Sequence, residues 1–284
     1  MQRSVALNLK DVLPTPSTLR ADPRIDAPAP STSVNLGQLY QHYYFDSFPD
    51  GPPNPDPSRF EYLGLISSQQ DFRFHAYVDS ASTIKKRAIS TELGQAFCRL
   101  MLHDHFGIVY FAHMADVLDR PTHAAFDGLR VERASKGDVP DYLCARKVTQ
   151  PAIAEAKGRF SSINFDSAEF NKWRAQFSRI RVVERTGRAV PVKGYIVGTR
   201  YACDSKPATR SAVYIEDPET PGDVELSEDQ ARSIGRVAVA MHYARVVRKF
   251  GLHPMSAALE NGFSLAPELS FQVPAWTCML PPFE

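Results

Sequence analysis

The chain has 284 residues, 43% hydrophobic and 23% charged, with a formal net charge of +1. That length can bury a substantial core, as one large domain or one domain with a small appendage, and the composition is ordinary for a soluble globular protein. No apolar run approaches the roughly 18–20 residues that span a bilayer, so no membrane partner is expected, and the near-neutral total gives no global argument for nucleic acid.

The opening M-Q-R-S-V-A-L-N-L-K-D lacks the apolar stretch of a secretory signal. The cytoplasm is therefore the expected compartment, although a toxin exported by another route would read the same. Cys98, Cys144, Cys203 and Cys278 lie far apart with no C-x-x-C pair, so they read as buried thiols rather than as a disulfide framework or zinc ribbon.

Residues 1–35, rich in Pro, Ser, Ala and Asp, show no periodicity and are expected as a loosely draped, flexible arm before a single domain over 36–284. Leu39–Phe45 and Phe60–Ile66 read as short ordered pieces around a Pro-rich loop, Phe48 to Pro57, and Phe72–Tyr77 alternates as a half-buried strand does. Residues 90–106 read as an amphipathic helix with Leu93, Phe97, Leu100 and Met101 inward and Glu92, Gln95, Arg99 and His103 on a polar face. Gly107 stops it, and Ile108–Phe111 suits a short buried strand.

Two strand-like runs follow, Tyr142–Ala145 and Ala152–Ala156, separated by a polar stretch of hairpin length. A helix is expected over 167–179, with Phe170, Trp173 and Phe177 on one stripe, then strands over 190–202 and 212–215. Ser227-Glu-Asp-Gln230 has the form of a capping box, opening a helix that Gly251 ends. The order predicts an α/β or α+β fold: a mixed central sheet flanked by helices, with a helical part over 216–284.

The chemistry sits in Pro140-Asp141 and Glu155-Ala156-Lys157. If the turn centres near Val148, Asp141 lies opposite Glu155, with Cβ atoms ~4.5–5.5 Å apart on one face. Two carboxylates held that close repel unless a cation lies between them, as a divalent metal does. Lys157, two residues on, shares the face and can orient a water or stabilise charge on phosphate. Asp204-Ser-Lys206 repeats the short pattern, but Pro207 follows it and no hairpin Asp precedes it.

These residues resemble the PD-(D/E)XK phosphodiesterase superfamily of restriction endonucleases, Holliday-junction resolvases and RecB-type nucleases, over roughly residues 88–215. The resemblance implies a restriction-endonuclease-like core, a helix packed beside a mixed sheet, and Mg²⁺ (Mn²⁺ as substitute) held by Asp141, Glu155 and the Ala156 carbonyl. It also implies that Lys157 positions or activates the attacking water, and that Glu92 on the preceding helix is a further ligand. Asp138 and Asp127 are rival first carboxylates, and the Gln-x-x-x-Tyr element of RecB-like members is not reproduced after Gln176.

From Lys157 to Arg210 there are about twelve Lys/Arg against four Asp/Glu, a pattern suited to a polyanion. Arg159, Lys172, Arg174, Arg179 and Arg181 are the expected DNA contacts, with a solvated basic face as the plain alternative. His103, His105 and His113 read as surface or partly buried histidines, since two-apart residues on a helix diverge. The function expected is a Mg²⁺-dependent DNA endonuclease of a restriction, anti-phage defence or mobile-element system. The alternatives are a DNA-degrading toxin effector, or a catalytically silent nucleic-acid-binding subunit serving a helicase/ATPase partner. Cutting both strands calls for two active sites, which a homodimer would supply.

Overall fold

The computed structural model describes residues 1–118, 129–184 and 186–263; Asp127, Arg185, Trp276 and Cys278 lie outside the described residues. In chain order the first half forms β1 (Gln2–Lys10), β2 (Ser31–Asn35), α1 (Leu36–Ser47), α2 (Ala76–Asp79), α3 (Thr83–Phe106), β3 (Tyr110–His113) and α4 (Met114–Val117). Next come β4 (Arg130–Arg133), β5 (Tyr142–Ala145), β6 (Pro151–Arg159) and α5 (Ala168–Phe177). The remainder is β7 (Ile180–Val183), β8 (Ala189–Val190), β9 (Lys193–Arg200), β10 (Ala212–Glu216), α6 (Glu228–Lys249) and α7 (His253–Asn261).

Seven strands make one mixed sheet in the order β2-β1-β10-β9-β6-β5-β3. Within it β6 runs parallel to β9 and β1 parallel to β10, and the other neighbours are antiparallel. The expected α/β class, a mixed sheet flanked by helices, is what forms. Helices α1 and α3 cover one face. The other face carries α5, α6 and a small sheet in the order β4-β7-β8. Among the described residues no helix is long and apolar enough to cross a membrane.

The central strand β6 shows how local sequence sets this packing. Ala152, Ala154 and Ala156 belong to the core under α3, whereas Ile153 belongs to the core under α6. Small side chains at every second position let a helix lie close. The approach is tightest at Gly94 of α3 and Gly158 of β6: a Cβ on Gly158 would stand 1.9 Å from the Ser90 carbonyl oxygen, and one on Gly94 would stand 2.7 Å from the Gly158 nitrogen. Gly158→Ala is accordingly expected to cost ~1–3 kcal/mol by overpacking, read as a lower urea midpoint at unchanged slope. An unchanged midpoint would show that α3 can yield.

The N-terminal 35 residues correct the expected flexible arm. β1 lies between β2 and β10, with Val5 and Leu7 buried, so the segment is part of the sheet. The apolar part of β1 is short, Val5 to Leu7 and then Leu9, and its partner β10 lies some 200 residues away in sequence, so nothing local marks the pairing. Phe72–Tyr77 is not a strand: Phe74 makes isolated bridges with Ile66 and Cys203, and the chain then turns into α2. The helix expected over 90–106 begins earlier, where the Ser82 side chain caps it by accepting from Lys85 N–H. Arg99, assigned to a polar face, is buried. The capping box of Ser227 and Gln230 forms, and Gly251 adopts a φ of 73° at the end of α6. Cys98, Cys144 and Cys203 are buried free thiols.

Candidate active site

β5 and β6 pair antiparallel with Tyr142 opposite Ala154 and Ala145 opposite Pro151. One further step along this register sets Asp141 across from Glu155, the register that a turn at Val148 requires. Gly235 of α6 lies so close to that turn that a Cβ would stand 2.0 Å from the Val148 carbonyl oxygen, which fixes its position.

Asp141 stands where the β5 ladder ends. With no further β5 carbonyl to accept it, the Ala156 N–H donates to Asp141 Oδ2 at 2.8 Å. A strand residue's carbonyl leaves on the same side as its N–H, so the Ala156 carbonyl projects off this edge as well. The backbone of Asp141 is pinned in turn, its carbonyl accepting from Met114 N–H at 2.8 Å.

Glu155 is wholly buried, and its Oε1 is in ion-pair contact with Lys157 Nζ. Neither Glu155 oxygen receives a hydrogen bond of ordinary geometry from the described residues. Burial first, then the charge of Asp141, push the Glu155 carboxyl well above the usual carboxylate range, against the pull of Lys157. Burial would lower the Lys157 ammonium, but Glu155 and Asp141 outweigh it and raise its pKa, with Asp138 adding to them. Asp141, Glu155 and Lys157 thus meet on the face away from α3. A buried carboxylate with unsatisfied oxygens beside a second carboxylate is a donor set that fits a hard divalent cation.

The raised Glu155 pKa has a consequence for stability. Below the ordinary carboxylate range the group is neutral folded or unfolded; as pH climbs toward the raised value, the unfolded chain ionises first and stability falls. Without metal, Glu155→Gln is expected to match wild type near pH 4 and to melt progressively higher than it as pH rises to 8. Parallel melting curves from pH 4 to 8 would contradict this.

Glu92 is not brought to the pair. Ser90 and Gly94 of α3 face β6, and Glu92 lies two residues from each, about 200° round the helix. Its carboxylate instead accepts from the Tyr62 hydroxyl. Asp138 is exposed, and its carbonyl accepts from Arg179 Nη1 at 2.9 Å, which leaves it at the rim.

The basic residues are largely engaged by acids distant in sequence. Arg174 grips Glu216 through Nε and Nη2 at 2.5 and 2.6 Å, Arg181 pairs with Glu132 at 2.8 Å, and Arg159 pairs with Glu169. Lys193 and Lys206 are likewise paired, with Asp217 and Asp79. Of the five expected DNA contacts, Lys172 stays exposed with no partner among the described residues, and Arg179 stands beside the Asp138 loop. Among the described residues, the local excess of charge therefore does not form an open basic face.

Sequence reasoning missed a buried polar cluster behind the site. Asp46 at the end of α1 receives Arg99 Nη1 at 3.0 Å and the Tyr142 hydroxyl at 2.9 Å, and His113 Nε2 lies 2.9 Å away. Burial alone would raise Asp46, but Arg99, His113 and Tyr142 outweigh it and hold the carboxyl down at about 2. The guanidinium also stacks over the Phe111 ring, 4.6 Å from its centroid. Tyr142 adjoins Asp141, so this cluster braces the strand that carries the first carboxylate. The only local signal was a charged residue at each of two helix positions that turn inward, Asp46 and Arg99.

No family model, curated protein or solved structure matches this chain.

Proposed function

We propose that this protein is a metal-dependent nuclease hydrolysing phosphodiester bonds, of the PD-(D/E)XK type, with DNA as substrate. The observation that carries the reading is the meeting of Asp141, the buried Glu155 and Lys157 on one face at the end of the β5–β6 hairpin. The order α3, β3, β5, β6, α5, β9, with the helix packed beside a mixed sheet, supports a restriction-endonuclease-like core.

Asp141, Glu155 and the Ala156 carbonyl would hold Mg²⁺, which supplies Lewis-acid polarisation of a phosphoryl oxygen. The chain's own groups do the rest. Asp141 is fixed by the Ala156 N–H, which holds its carboxylate at the end of the β5 ladder. Lys157 stands in ion-pair contact with Glu155, two residues away on the same strand face. It is placed to donate a hydrogen bond that orients the attacking water and to offset charge on the pentavalent phosphorus. The engaged state of Arg159, Arg174 and Arg181 means that backbone phosphates are met chiefly at the rim, by Arg179 and Lys172.

The test is incubation of supercoiled plasmid with the untagged protein in Mg²⁺ or Mn²⁺, comparing wild type, Asp141→Ala and Lys157→Ala. Cleavage by wild type alone supports the reading. Equal cleavage by all three would move the chemistry elsewhere, and the absence of cleavage with DNA and RNA would leave a binding subunit.

A further inference from the structure

A second group of metal-ligating side chains lies on the α3 face of the sheet, unrelated to the carboxylate pair. His42 of α1 meets His103 and Asp104 in the last turn of α3, and one ligand atom from each falls within 4.8 Å of the other two. The two imidazoles stand 5.2 Å apart between centroids, tilted by 59°, and His103 Nδ1 lies 2.8 Å from Asp104 Oδ1. His103 and His105 diverge along the helix; the partner for His103 comes from a helix 61 positions earlier in sequence, which spacing alone could not disclose.

We propose that His42, His103 and Asp104 form a binding site for a transition-metal divalent cation of the Zn²⁺ class, which clamps α1 to the end of α3. Two imidazole nitrogens and one carboxylate oxygen are the donors that Zn²⁺, Co²⁺ or Ni²⁺ take, with solvent completing the shell, whereas Mg²⁺ prefers an all-oxygen octahedron. Two further observations agree. The nearby Arg99 charge is already taken up by Asp46. His103 and Asp104 are 43% and 28% exposed, which leaves a path for the ion and room for water ligands.

The clamp has a structural reach. His42 and Asp46 are one turn apart on α1, and Asp46 holds Arg99, His113 and Tyr142. An ion binding α1 to α3 would hold the brace behind Asp141 from its outer end. The proposal does not rest on the nuclease reading, since the ligands differ in face and in chemistry.

The experiment uses chelator-stripped, untagged full-length protein, titrated with Co²⁺ in millimolar Mg²⁺ so that oxygen-rich sites are filled. Visible d–d absorption without a thiolate charge-transfer band is expected at one equivalent, displaced by Zn²⁺, with a rise in melting temperature on Zn²⁺ addition. His103→Ala and Asp104→Asn, both at exposed positions, are expected to weaken Co²⁺ binding ~10-fold or more; Asp141→Ala is expected to leave it unchanged. His42→Ala should abolish it, with circular dichroism checking the fold of this half-buried variant. Absence of the Co²⁺ spectrum in wild type, or equal binding by wild type and His103→Ala, would overturn the proposal and leave two packed imidazoles beside a hydrogen-bonded Asp.

Discussion

Asp141→Ala is expected to lower Mg²⁺-dependent phosphodiester cleavage by ~10³-fold or more, about 4 kcal/mol of lost transition-state stabilisation. The loss is large because Asp141 does two things at once. It provides the more accessible carboxylate of the pair, and its Oδ2 accepts the Ala156 N–H that the β5 ladder leaves unmatched. Asp141→Asn keeps that hydrogen-bond geometry and removes only the charge, so it separates the two roles: equal losses in both variants would assign the effect to charge. Lys157→Ala is expected to fall ~10²–10³-fold in kcat with little change in KM, as for a group that acts chiefly in the transition state. A full-rate Asp141→Ala variant would sink the assignment of the site.

The largest effect on stability is expected at Arg99. Arg99→Ala leaves the Asp46 carboxylate, whose side chain is 3% exposed, without its principal countercharge. Removing one partner of a buried ion pair costs ~3–5 kcal/mol, on the order of 10 °C in melting temperature for a chain of this size. His113 and Tyr142 still contact Asp46, so the fold should survive. Asp46→Asn in the same background should recover part of the loss, because a neutral amide needs no countercharge. A drop in melting temperature of only a degree or two in Arg99→Ala would mean that Asp46 is held neutral rather than ionised.

Some of this was legible because the cause is local. The β5–β6 register follows from turn length and the two-residue period, so Asp141, Glu155 and Lys157 could be placed on one face before any coordinates. The capping box of α6 and the glycine that ends it are likewise matters of a few adjacent residues. Glu92 shows where such reasoning fails. Its order and spacing suited a ligand, but which arc of α3 meets β6 was decided by Gly94 and Gly158 allowing the closest approach. Arg159, Arg174 and Arg181 show a related limit: a count of charges along the chain does not see the acids that the fold brings to them.

By itself, the sequence determined the fold class, the hairpin and the triad on it, because periodicity and turn geometry act over ten or fifteen residues. Tertiary structure alone decided that the N-terminal segment joins the sheet, that Arg99 turns inward to Asp46, and that His42 meets His103. Those are pairings between segments far apart in the chain, fixed by which surfaces bury together and which charges cancel once they do, and no short-range pattern encodes them.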